Sequence, residues 1–190
     1  MKVNEALPEY KRYTYADYCI WDDDERWELL DGIPYALSAP NRRHQEIRGS
    51  LYYQFHDFLR GKTCKVYAAP FDVRLNADTY DDTVVQPDIV VVCDKSKLDD
   101  KGCVGAPDLV IEILSPSTAL HDRVHKFKRY LQAGIREYWI VDREIKMVSV
   151  HVLRNGEYTT SAYISDDSIP VHVLEGCMID LSEIFTDESV

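Results

Sequence analysis

Two carboxylates occupy positions that folded chains seldom give to charge. Asp88 opens the string Pro87–Cys93 (PDIVVVC), and Glu112 lies inside Pro107–Leu114 (PDLVIEIL). Both strings are almost continuously apolar and β-branched, the pattern of strands covered on both faces. A carboxylate in such a strand costs several kcal/mol unless it is paired, protonated or bound to a metal. Two of them on neighbouring strands would form an oxygen-rich pocket suited to a hard cation such as Mg²⁺ or Mn²⁺. Such an ion could activate water and offset charge on a phosphoryl oxygen. A structural role stands beside the chemical one. Asp88 and Asp108 each follow a proline and could satisfy backbone donors at a strand entrance, and Glu112 could pair with a lysine or arginine.

The segment after Glu112 supplies cations. It reads as a helix from about Thr118 to Ala133, with Ser115-Pro116-Ser117-Thr118 as start signal and Gly134 as stop. An apolar stripe of Leu120, Val124, Phe127 and Leu131 is expected to face the sheet. Lys126 then sits about 130° from the stripe centre, on the polar flank, as an i,i+4 partner of Asp122. Lys128 lies nearer the apolar edge and is a rival, and spacing does not choose between them. His121 and His125 mimic one half of H-E-x-x-H, but Asp122 replaces the glutamate and no third ligand follows, so solvated histidines are expected. There is no GxxxxGK[ST] and no GxGxxG, and Ser115 and Ser117 flank a proline rather than glycines. Nucleotide-fuelled and serine-nucleophile chemistry therefore have no support.

The remaining elements must hold these groups in place. A short helix over Thr14–Ile20 has Thr14 as N-cap. Trp27–Leu37 reads as a hairpin turned by Asp31-Gly32. Asn41 leads into a helix of roughly twenty residues ending at Gly61, with Ile47, Leu51, Phe55, Phe58 and Leu59 on one face. Lys65–Leu75 is a mixed strand and Glu137–Asp142 a buried one. Met147–Leu153 and Glu157–Ile164 form a hairpin around Asn155-Gly156. A short strand near Val171–Leu174 and a helical turn at Leu181–Phe185 close the chain. The order predicts a single α/β domain over 1–190, a mixed sheet flanked by helices with additional β-hairpins.

The 190 residues are 45% hydrophobic and 29% charged, enough for a packed core. No apolar run approaches the roughly 20 residues of a membrane span, and the first residues lack the apolar core of a secretory signal. The cytoplasm is the expected compartment. Five scattered cysteines, at 19, 64, 93, 103 and 177, contain no C-x-x-C pair and are expected to be reduced thiols. A net charge of −11 argues against passive DNA coating, though not against an enzyme that uses a metal to meet a phosphodiester. The thirteen tyrosines read as core and interface residues. Tyr52-Tyr53, Tyr158 and Tyr163 could stack on bases but lack basic neighbours in sequence.

PDIVVV, then GAPDLVIEILSPST, then Asp122, Lys126, Tyr130 and Gly134 at four-residue intervals, then EYWIVD, resemble in order the Uma2 family (DUF820) of restriction-endonuclease-like proteins. The opening WELLDGIPY, followed by His44 at the start of a helix, is similar to the family's beginning. The likeness runs from about Trp27 to Phe185. It implies the PD-(D/E)xK fold, with Asp88 in the PD element and Glu112 in the (D/E) position. The usual lysine two residues on is absent, because Leu114 stands there. The resemblance moves that role to Lys126 on the following helix. It also makes Glu46, with His44 beside it, a candidate further acid, and Glu28 a more distant one.

The implied function is a Mg²⁺- or Mn²⁺-dependent nuclease hydrolysing nucleic acid, DNA foremost. Asp88 and Glu112 would hold metal, with Lys126 orienting the attacking water. Homodimerisation would suit cleavage of two strands. The alternative is a catalytically degenerate member that keeps the fold for oligomerisation or partner binding. The missing lysine at Leu114 and the acidic balance favour that second reading.

Overall fold

The computed structural model describes residues 11–22, 25–115 and 121–185. In chain order the elements are α1 (Tyr15–Tyr18), β1 (Arg26–Leu30), β2 (Ile33–Leu37), α2 (Arg42–Leu59), β3 (Lys65–Ala68), β4 (Asp72–Arg74), β5 (Val84–Val85) and β6 (Ile89–Val92). There follow β7 (Gly102–Val104), β8 (Leu109–Ile113), a π-helical segment His121–Lys126 that runs into α3 (Phe127–Ala133), β9 (Glu137–Asp142), β10 (Met147–Arg154), β11 (Glu157–Ile164), β12 (Ser168–Pro170) and β13 (Met178–Asp180).

The continuously apolar strings lie at the centre of the main sheet, whose order is β11-β10-β9-β8-β6-β3. β8 runs parallel to β9 and antiparallel to β6. The parallel step needs a crossover, and the segment carrying α3 provides it. Side chains then alternate with period two. Ile89, Val91, Leu109, Ile111, Trp139 and Val141 pack on one side with Ile47, Leu51 and Phe55 of α2. Val90, Val92, Val110, Tyr138 and Ile140 pack on the other with Tyr130 of α3. A second sheet, β2-β1-β5-β4-β7, lies beside the first, and β12-β13 form a small third one.

Local signals act as expected at several ends. Thr14 and Asp17 form a reciprocal capping box on α1. Asn41 caps α2 by accepting the His44 N–H. Asp31 and Gly32, at φ 53° and 75°, turn the β1–β2 hairpin, and Gly134 ends α3 at φ 78°. Pro116, Ser117, Thr118 and Leu120 of the expected helix start lie outside the described residues.

Four expectations change. The segment 65–75 is two strands in different sheets, separated at the cis Ala69-Pro70 bond. Val171–Leu174 is a turn rather than a strand; β12 stops at Pro170, and the Val171 N–H bonds to Cys177 O across the bend. Cys64 and Cys93, next to the paired Lys65 and Val92, form a disulfide, so these two are not the reduced thiols expected. The helix after Glu112 also buries the opposite face from the one its apolar stripe suggests. Val124 is 53% exposed, whereas Asp122, Lys126 and Tyr130 are at most 3% exposed.

Candidate active site

Continuing the β6–β8 register one step beyond Ile89↔Ile111 places Asp88 opposite Glu112, on the face covered by α3. Directly opposed residues have Cβ atoms roughly 5 Å apart, so the two acids share one end of the sheet. Asp88 Oδ2 accepts the Ile113 N–H at 2.8 Å and lies 3.1 Å from His44 Nε2. Asp88 thus satisfies a backbone donor, as the structural reading allowed, and also faces the site.

Glu112 is met by the buried face of the crossover helix. Its Oε1 accepts from Lys126 Nζ at 2.9 Å and from the Tyr130 hydroxyl at 2.6 Å. Lys126 Nζ also lies 2.8 Å from Glu28 Oε1 and 3.5 Å from Asp122 Oδ1. Glu28 arrives on β1 and accepts the Gln86 N–H at 2.7 Å, which fixes the neighbouring hairpin against the residue before Pro87. The Tyr138 hydroxyl donates to the Asp122 carbonyl at 3.1 Å and holds the π-helical segment against β9. Inserted π turns recur at functional sites, and here the turn brings a lysine and an aspartate to the sheet.

The electrostatics follow from burial. Burial pushes the Glu112 carboxyl well above the usual range, Lys126 pulls it down, and Asp122, Glu28 and Asp88 push it up again. Burial alone would lower the Lys126 ammonium. Glu112, Glu28 and Asp122 outweigh that and raise it well above the ordinary lysine value. Lys126 is therefore a fixed cation at neutral pH and no proton acceptor. Tyr130 is raised as well, by burial and then by Glu112 and Glu28, and stays a hydroxyl donor.

Glu28, Asp88, Glu112, Asp122 and Lys126 line a cavity of about 220 Å³, together with Arg26, Gln86, His44, Arg48 and Arg143. Among the described residues it holds three carboxylates around the Lys126 ammonium and a fourth, Asp88, beside His44, while Arg26, Arg48 and Arg143 are only half-buried. Among the described residues no three His, Cys, Asp or Glu side chains form a ready-made metal cage.

Of the expected site residues, Asp88, Glu112, Lys126, His44 and Glu28 come together. Glu46 does not: it is exposed, bonded to Arg42, and lines a different cavity. Asp108 accepts the Cys93 N–H at 2.7 Å and pairs with Arg136 at 2.9 Å, so it serves the strand entrance. Lys128 is exposed on the outer side of α3, which leaves Lys126 as the lysine of the cavity. His125 is exposed as well, as expected for a solvated histidine. Sequence reasoning missed Gln86, Arg26, Arg48 and Arg143. It also missed the buried polar face Asp122–Lys126–Tyr130, whose four-residue spacing was the available signal.

The model of the Uma2 family, described as "Putative restriction endonuclease", matches residues 9–182. The protein slr1290 of Synechocystis sp. is 27% identical over 174 residues, which cover 89% of this chain and 90% of that one. A crystal structure from Anabaena variabilis, described as "a putative nuclease belonging to DUF820", shares the fold with a TM-score of 0.73 at 18% identity, covering 90% of this chain and 97% of the other.

Proposed function

From the premise that this chain belongs to the Uma2 family, we propose that it is a nuclease hydrolysing phosphodiester bonds in nucleic acid, DNA foremost, with Mg²⁺ or Mn²⁺ as cofactor. The observation that carries the proposal is that Glu28, Asp88, Glu112 and Asp122 line one cavity, three of them on the ammonium of Lys126. Such an excess of buried negative charge is costly without a further cation.

The donor set fits Mg²⁺. That ion commonly takes one or two protein carboxylates and completes its shell with water and phosphate oxygens, so no all-protein cage is required. Asp88 and Glu112 would hold it. A bound divalent ion supplies Lewis acidity, acidifying water and offsetting phosphoryl charge. Lys126, held protonated by three carboxylates, donates to the attacking water or to the charge that develops on the phosphate. Arg48 and Arg143, half-buried at the cavity wall, offer guanidinium donors to non-bridging phosphate oxygens. Glu28 and Tyr130 keep Lys126 and Glu112 in register. Direct attack by water needs no covalent enzyme intermediate.

A degenerate binding module is the second reading, favoured by the contacts through which Lys126 and Tyr130 already satisfy Glu112. Calorimetric titration of Mn²⁺ into the wild type, Asp88→Asn and Glu112→Gln separates the two. Saturable binding that both substitutions abolish, with cleavage of DNA that stops in chelator, is the expected result. Wild type that binds no Mn²⁺ even in the presence of DNA supports the module, and cleavage undiminished by chelator overturns the metal mechanism.

A further inference from the structure

Beside the acid cavity lies a second one, of about 460 Å³, whose chemistry is the reverse. Arg42 and Arg43 from the first turn of α2 form one wall, and Arg143 and Lys146 from the β9–β10 turn form the other. Among the described residues, four of the five charged groups that line it are cationic, in a chain with three acids for every two bases. Chance alone does not favour that concentration. The acid among these five, Glu46, is bonded to Arg42.

The two cavities are joined. Arg143 lines both, and its guanidinium donates to Asn41 Oδ1 at 2.7 Å, which ties the β9–β10 turn to the cap of α2. The second cavity extends along α2 from Arg42 to Ser50, about 12 Å at the rise of an α-helix. Buried Ile47, Ile184 and Phe185 form its apolar part. The N-terminal end of α2 adds a partial positive charge. A row of cations over an apolar floor, leading to a recessed acidic site, suits a chain of phosphates.

We propose that this groove binds the sugar-phosphate backbone of a nucleic-acid strand next to the phosphodiester held in the acid cavity. The inference rests on the nuclease reading and extends it. Arg42, Arg43 and Lys146 take successive phosphates, and Arg143 stands at the junction between the backbone track and the scissile site. The contacts are to phosphate, so binding is largely independent of sequence.

The test is fluorescence anisotropy of a labelled single-stranded DNA oligonucleotide, in chelator so that nothing is cut. The proteins are wild type, Arg43→Glu with Lys146→Glu, and, as a charge-reversal control, Lys128→Glu, an exposed residue of α3 that lines neither cavity. The wild type is expected to bind, the groove variant to bind at least about tenfold more weakly, and its slope of log affinity against log salt to be shallower by about 1.4, two phosphate contacts on a single strand. Lys128→Glu is expected to bind far closer to the wild type than the groove variant does. No binding by wild type, unchanged affinity of the groove variant, or equal loss in Lys128→Glu would each overturn the groove. Binding that behaves as expected, with no metal-dependent cleavage, upholds the groove and removes the hydrolytic reading.

Discussion

Replacing Lys126 by Met removes an ammonium with 4% of its side chain exposed and two carboxylate partners within 3 Å. The methionine keeps most of the length and packing of the stem, so the loss is chiefly electrostatic. Breaking a buried ion pair by deleting one partner typically costs about 3–5 kcal/mol, against a total stability of roughly 5–15 kcal/mol. The sign with pH follows from the two raised groups. Lys126 is raised in the fold, so its pairs contribute in full below the ordinary lysine value of about 10.4 and are lost only at higher pH. Glu112 is raised too, so its ionised form costs stability above the ordinary value of about 4.3, and protonation relieves that cost as pH falls. Without Lys126 no cation offsets the charge on Glu112, which keeps only the Tyr130 hydroxyl as a partner to pull it down. The deficit should therefore be largest near pH 8 and shrink toward pH 5. Adding Glu112→Gln to Lys126→Met should recover part of it. Urea unfolding followed by tryptophan fluorescence measures all three proteins. A loss below about 1 kcal/mol at pH 7, or one of equal size at both ends of the pH range, would refute the account of the cluster.

Glu137 is fully buried and accepts both the Trp139 indole N–H and the Val173 N–H; Glu137→Leu should cost about 2–5 kcal/mol in denaturant unfolding by orphaning two donors. Phe55→Ala empties a fully buried site beside Trp139, and a loss of about 3–5 kcal/mol is expected in the same assay. Gly102→Ala would drive a Cβ into the Asp72 carbonyl across the β4–β7 ladder, lowering the thermal midpoint by an amount equivalent to about 1–3 kcal/mol or more. The Cys64–Cys93 link closes a loop of 29 residues; Cys93→Ser should destabilise by up to about 3–4 kcal/mol on the chain-entropy account, and intact-mass measurement before and after alkylation checks that the bridge forms.

Legibility in the sequence followed the range of the interaction. Asp88 and Glu112 stood out because local composition alone marks a carboxylate within a β-branched run, and their strands do lie side by side. The hairpins at Asp31-Gly32 and Asn155-Gly156 were equally open, since a primed turn is written in two adjacent residues. The crossover helix misled because periodicity assumes that apolar residues face inward. Here Asp122, Lys126 and Tyr130 face inward; Glu28 and Glu112 across the gap pair with Lys126, and Glu112 also accepts from Tyr130. Glu28 itself reaches the cavity only through the pairing of β1 with β5. The basic groove was hidden because Arg42 and Arg43 meet Arg143 and Lys146 from a hundred positions away. An acidic average masks such a local reversal.

The π-helical turn at His121–Lys126 has a consequence for lineages that gain or lose residues. A substitution within it alters one side chain, whereas deleting one residue rotates everything downstream by about 100° about the helix axis. Lys126 and Tyr130 would leave the acids together, with neighbours such as Phe127 carried toward them. The length of this short turn should consequently drift less among functional descendants than its composition.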